Sequence, residues 1–212
     1  VESIGGEVSR STAIAKVISI VMHPLFLPTV VLLLVAYAEP SSWRDFLFRT
    51  LIILFFLAVL PLAYIYLKSP RAASGAKRLQ DPVAFFRKHP REICFVCLIC
   101  VLPCILLLAF LDAPSPLVAT LVALLATGLA LALVNMFYRA SYHLAAVTTL
   151  VVAVVIIWGW AVSPVFAAIP LVGWALYSLR RHSPGQLATG LGLALIISVA
   201  CFYGFDLLAI GS

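Results

Sequence analysis

His182 follows two arginines, Arg180 and Arg181, and precedes Ser183-Pro184-Gly185-Gln186, which opens an apolar run. Ser183 is a good N-cap, Pro184 suits the first helical position, and Gln186 stands where a capping box needs it. The order puts an imidazole and two guanidinium groups just outside a helix N-terminus, where free N–H groups and the helix dipole favour an anion. Two further polar islands accompany it. One is Asp81-Pro-Val-Ala-Phe-Phe-Arg87-Lys88-His89-Pro90-Arg91; the other is Asn135-Met-Phe-Tyr138-Arg139-Ala-Ser141-Tyr142-His143. Histidines among arginines suit phosphoryl transfer from a lipid phosphate: one imidazole attacks phosphorus, another protonates the leaving oxygen, and arginines hold the charged oxygens. Arginine's planar fork grips phosphate oxygens in pairs.

The elements that position these residues are read from hydropathy. Of 212 residues 64% are hydrophobic and 10% charged, with a mean hydropathy of +1.16. Soluble domains carry roughly 25% charged residues, so the chain reads as an all-α integral membrane protein. The apolar runs approach the roughly 20 residues of a transmembrane helix, not the alternating segments of an outer-membrane barrel. Seven such runs are expected, near 13–38, 45–67, 92–111, 116–138, 142–161, 164–179 and 184–209. The sixth is short and needs little tilt or a thinned bilayer. The expected fold is one domain over residues 1–212, a bundle of six to seven transmembrane helices. The polar start, followed by a first run too long for a signal h-region, argues against a cleavable leader.

Counting crossings sets the topology. The N-terminus, the basic 68–91 loop, the 139–143 turn and the 180–183 turn fall on one face, with twelve of the fourteen Lys and Arg residues. Only Arg44 and Arg49 fall on the other, and the positive-inside rule makes the basic face cytoplasmic, in a cell inner membrane. An even number of crossings separates the three islands, so His89, His143 and His182 all emerge on that face. The acids, by contrast, divide evenly between the faces and none falls at mid-membrane. Such carboxylates usually mark a proton or ion pathway, so a transporter is disfavoured. Nucleic acid is not an expected partner.

The islands resemble a family. His182-x-x-x-Gln186-x-x-x-Gly190 is similar to the third motif of the type-two phosphatidic acid phosphatase superfamily, usually His-x-x-x-Asp-x-x-x-Gly. Ser141-Tyr142-His143 resembles its second motif, and Asp81…Arg87…Arg91 resembles the first motif of a divergent prokaryotic branch. His23-Pro24-Leu-Phe-Leu-Pro28-Thr29 is similar to the opening helix of that branch. The resemblance implies His182 as nucleophile, His143 as general acid, and Arg87 and Arg91 as phosphate ligands; Arg180, Arg181 and Ser141 complete the expected phosphate-binding set. It implies hydrolysis of a lipid or isoprenoid phosphate with no metal and no cofactor. Two positions depart from the pattern: Leu176 stands where the family has an arginine, and Gln186 where it has the aspartate that orients the nucleophile. From these departures comes a second expectation, a catalytically inactive bundle that binds lipid or serves as a subunit among other membrane proteins.

Bland readings apply elsewhere. Gln186 is accounted for by capping alone, and His23, flanked by prolines, by a kink in the first helix. The 68–91 loop fits a solvated charge run attracted to anionic lipid as well as it fits substrate binding. Cys94, Cys97, Cys100 and Cys104 have the spacing of an iron–sulfur run, but the residues between them are apolar. On a helix they form a stripe of small inert side chains.

Overall fold

The computed structural model describes residues 4–23, 26–38, 42–68 and 90–208, the side chains of 4–10, 90, 91 and 93 excepted. Among these residues the chain is entirely helical, without strands. In order come α1 (Ile4–Val21), α2 (Phe26–Ala38), α3 (Trp43–Lys68), α4 (Pro90–Val96, continuing through Cys97–Val101 to Leu102–Phe110), α5 (Ser115–Val134) and α6 (Tyr142–Trp158). A 3-10 stretch, Trp160–Ala167, then leads into α7 (Ala168–Ser178), and α8 (Pro184–Gly204) ends the bundle.

Four helical stretches are long and apolar enough to cross a membrane: Trp43–Lys68, Ser115–Val134, Trp160–Ser178 and Pro184–Gly204. The count rises to five if the bent pair Ser11–Val21 and Phe26–Ala38 is one span. Hydropathy led to an expectation of six to seven, and the causes of the difference are local. The expected helix 13–38 is broken after Val21, and its halves diverge by 50°. His23 precedes a proline, which disfavours helical backbone at that position. The expected helix 142–161 stops at Trp158 because Gly159 turns out at φ 78°. The apolar helix Tyr142–Trp158 is consequently short.

Helices α5, α6 and α8 pack most extensively on one another. Their seam is built of small side chains: Gly190, Ala194 and Ser198 recur every four residues on the buried stripe of α8 and end on Phe202. They meet buried Ala119 and Ala123 of α5 and Ala145 and Ala153 of α6. Without a hydrophobic drive between helices in lipid, such small faces let backbones approach and gain dispersion contact. Thr127 and Thr149 hydroxyls pair across α5 and α6 at 3.4 Å within this seam.

To one side, α2, α3 and α4 share an apolar core with α5, centred on Leu32, Ile53, Leu108 and Leu117. Helices α3 and α4 each carry a π turn, Phe55–Val59 and Cys97–Val101, shortly before Pro61 and Pro103. A proline inside a helix removes a donor and clashes with the carbonyl a turn earlier; a widened turn absorbs both. On the other side α7 packs on α1 and α6 through Val172 and Leu176. Large apolar side chains such as Leu51, Leu106, Phe110 and Ile196 remain exposed around the outside. A soluble protein does not display so much apolar surface; a bundle facing lipid does.

Candidate functional site

The turn between α5 and α6 begins where Asn135 ends α5, its side-chain amide donating to the Leu131 carbonyl at 2.8 Å. Ser141 then caps α6: its hydroxyl accepts the Leu144 N–H at 3.3 Å, which places His143 in the first turn of that helix. The start of α8 obeys the same logic. Ser183 accepts from the Gln186 N–H, and the Gln186 side-chain oxygen accepts the Ser183 N–H at 3.1 Å, closing the capping box.

These two helix starts lie against each other. The Ser141 N–H donates to the Gln186 carbonyl at 3.2 Å. Gly190 packs on the same turn so closely that a Cβ there would stand 2.6 Å from the Ser141 carbonyl oxygen. Tyr138 reaches Gly185 with its hydroxyl, 2.8 Å from where a Cβ would be. The second and third islands therefore meet at one end of the bundle. Two helices present N-termini there, and their dipoles add at that rim.

His143 is nearly enclosed, at 4% exposure. Its ring nitrogen Nε2 lies 3.3 Å from the Ser19 carbonyl oxygen of α1. A carbonyl only accepts, so Nε2 carries the proton and Nδ1 is left to accept or exchange one. The Ser19 carbonyl is available because α1 is ending: the His23 N–H turns to Ile20 at 3.2 Å instead. His143 thus closes the C-terminus of α1 from across the bundle, as a histidine can at a helix end. The His23 ring stands edge-on to it, centroids 5.3 Å apart at 84°.

Arg181 joins the same group. Its Nη1 donates to the Ser19 hydroxyl at 3.2 Å, and Arg181, His182 and His23 all act electrostatically on His143. Arg180 is exposed and takes the left-handed conformation, φ 52°, that ends α7. The ending has the Schellman pattern: Arg181 N–H bonds to Leu176 O at 3.1 Å and Arg180 N–H to Tyr177 O at 2.8 Å. His182, half-buried, leads directly into the Ser183 cap.

The other expected site residues separate into two groups. Ser141 is fully buried, and its hydroxyl oxygen accepts the Leu144 N–H as the cap of the helix that carries His143. Arg87 and His89 lie outside the described residues, as does the side chain of Arg91, whose backbone stands in the first turn of α4. That helix start packs beside α5, and Glu92 there pairs with Tyr64 and, at 3.5 Å, with Lys68 at the end of α3. Leu176 is buried among Leu144, Val147, Val172 and Leu187. Among the described residues no group of three or more His, Cys, Asp or Glu side chains is arranged to hold a metal ion; the five cysteines are free thiols on helices.

Ser19 is the neighbour that no motif includes, and His23 was read only as a kink and as part of an opening helix. His23-Pro24 did carry a signal, a polar ring and a helix breaker inside an apolar run. Ser19 carried none, because a lone serine in a helix is unremarkable until the carbonyl beneath it loses its partner. No family model matches the chain, and no curated protein or solved structure does. A functional reading therefore stands on the geometry of the histidine rim.

Proposed function

We propose that this protein is an integral membrane phosphatase that hydrolyses a lipid or isoprenoid phosphate through a histidine nucleophile. The observation that carries the reading is the meeting of the His143 turn with the Arg181-His182 helix mouth, through the Ser141–Gln186 bond and the shared contact on Ser19. His182 attacks phosphorus and the bond to the lipid oxygen breaks. Protonated His143 gives its proton to that leaving oxygen. Water then attacks the phosphohistidine, with His143 taking a proton from it, and inorganic phosphate leaves with both imidazoles restored. Arg180 and Arg181 hold the phosphoryl oxygens as charge shifts among them, with Arg87 and Arg91 of the first island as further ligands.

In this reading the broken α1–α2 pair is one crossing and α4 and the short α6 are crossings too, giving seven. Tyr142–Trp158, at 17 residues, is within the range of roughly 17–25 residues for a spanning helix. The basic rim faces the cytoplasm of an inner membrane. The test is release of inorganic phosphate by purified protein from lipid and prenyl phosphates, in EDTA. Release is expected from the wild type and is abolished in His182→Ala; unchanged turnover in that variant removes the mechanism.

Two observations favour a second reading, an inactive lipid-binding bundle within a larger membrane complex. Leu176 is apolar core, and the Gln186 side-chain oxygen is spent on its cap. Inactivity across a broad lipid panel, with copurification of other membrane proteins in fixed stoichiometry, would select it.

A further inference from the structure

The last turn of α1 enters the histidine site from a part of the chain that no motif marks. Ser19 is 4% exposed. Burial of a hydroxyl in an apolar bundle is unfavourable unless it is hydrogen-bonded. Its oxygen accepts from Arg181, 162 positions away in sequence, while its carbonyl accepts from His143, 124 positions away. One residue thus touches two of the groups that the phosphatase reading uses. On an unbroken helix the N–H of residue 23 would share the Ser19 oxygen; here it turns to Ile20. The break is written into the chain as His23-Pro24, and it leaves the His23 ring against His143.

We propose that Ser19 is a positioning residue of this site, fixing the tautomer of His143 through its carbonyl and the reach of Arg181 through its hydroxyl, with His23 bracing the His143 ring. The inference rests on the phosphatase reading for what these groups are held to do. The guanidinium has five N–H donors; spending one on Ser19 aims the others as a fork and leaves them for phosphate oxygens. Catalytic groups must be held within about 0.5 Å of their working positions. Arg181 stands on a turn, where a fixed point on a neighbouring helix is what steadies so long a side chain.

The experiment uses the full chain in lipid nanodiscs. Nitrogen NMR with labelled histidine, His143 being assigned by its loss in His143→Gln, reads the ring tautomer. Neutral His143 is expected to carry its proton on Nε2 in the wild type and in Ser19→Ala, which keeps the carbonyl. A proton on Nδ1 in the wild type overturns the proposal, whether or not the protein hydrolyses anything. The second arm measures binding of inorganic phosphate to the wild type, Ser19→Ala, Arg181→Gln and the double variant. Ser19→Ala is expected to weaken binding by about tenfold, as for loss of a hydrogen bond to a charged group. The double variant should be no weaker than Arg181→Gln alone, because the two act as one unit. Equal affinity in Ser19→Ala and wild type, or effects that multiply in the double variant, overturns the Arg181 half. If the wild type binds no phosphate, the phosphatase reading fails and with it the Arg181 half; the tautomer still decides the His143 half.

Discussion

Arg180 is the residue whose backbone asks for an explanation. Three helices end alike, with Asp112, Arg180 and Asp206 at φ 48°, 52° and 54°. Aspartate tolerates this region through its short polar side chain, whereas a long side chain enters it at a cost of roughly 1–2 kcal/mol. Glycine would serve the turn better. Arg180→Gly is therefore expected to raise the thermal midpoint, by about 1 kcal/mol of stability after glycine's extra unfolded-state entropy is counted, while weakening phosphate binding. Denaturation in detergent and a phosphate titration on the same preparation check both; a drop in stability would mean the arginine is there for packing. Leu176 leads to the opposite experiment. Leu176→Arg puts a charge among Leu144, Val147, Val172 and Leu187. A charge inside a transmembrane helix costs roughly 2.5–3.5 kcal/mol on insertion scales, so loss of folded protein, not gain of activity, is the expected outcome on size-exclusion chromatography. Sequence reading did well where a residue acts locally. Gln186 was legible as a cap because a capping box is complete within four residues. Ser141 was less so: that its hydroxyl caps α6 was not read from its motif.

Between elements, the contact that matters is Gly190 of α8 against the Ser141 carbonyl before α6. A Cβ at 2.6 Å meets backbone, which cannot swing aside as a side chain does. Gly190→Ala is expected to push the turn away and destabilise the bundle by about 1–3 kcal/mol, as overpacking does. Because that turn carries His143, hydrolysis should fall further than the loss of folded protein accounts for. Gly128→Ala is the control: its Cβ would meet only the Cys97 thiol, at 3.0 Å, a side chain that can rotate. Comparing the two variants by thermal denaturation and by turnover per folded molecule separates the effects. Here the sequence was a partial guide. Gly190 is needed for a local reason that spacing alone does not show: two helix starts touch there. Hydropathy missed the stop at Gly159, because averaging over a window hides a single residue among apolar ones. The kink at His23 was legible; that the Ser19 carbonyl beside it meets His143 was not.

For the molecule as a whole, the question is which way the histidine rim faces. Helices α6 and α8 both start at that rim, while α5 starts and α6 ends at the other, near Asp112 and Gly159. The basic residues Arg139, Arg180 and Arg181 cluster at the histidine rim, and charge of this sign is retained on the cytoplasmic side during insertion. The five native cysteines lie within helices, buried or half-buried, so introduced thiols at the turns are the readable ones. In intact cells a membrane-impermeant maleimide is expected to label Asp112→Cys and not Arg180→Cys. Permeabilisation should expose Arg180→Cys. Both sites are exposed in the fold, so failure to label reports the membrane and not the protein. The reverse pattern would place the histidines outside, where the lipid phosphates of the cytoplasmic leaflet could not reach them, and would redirect the substrate search to the outer leaflet. Labelling of both sites from one side would mean an odd number of crossings does not separate them, and the seven-helix topology would fall with the orientation.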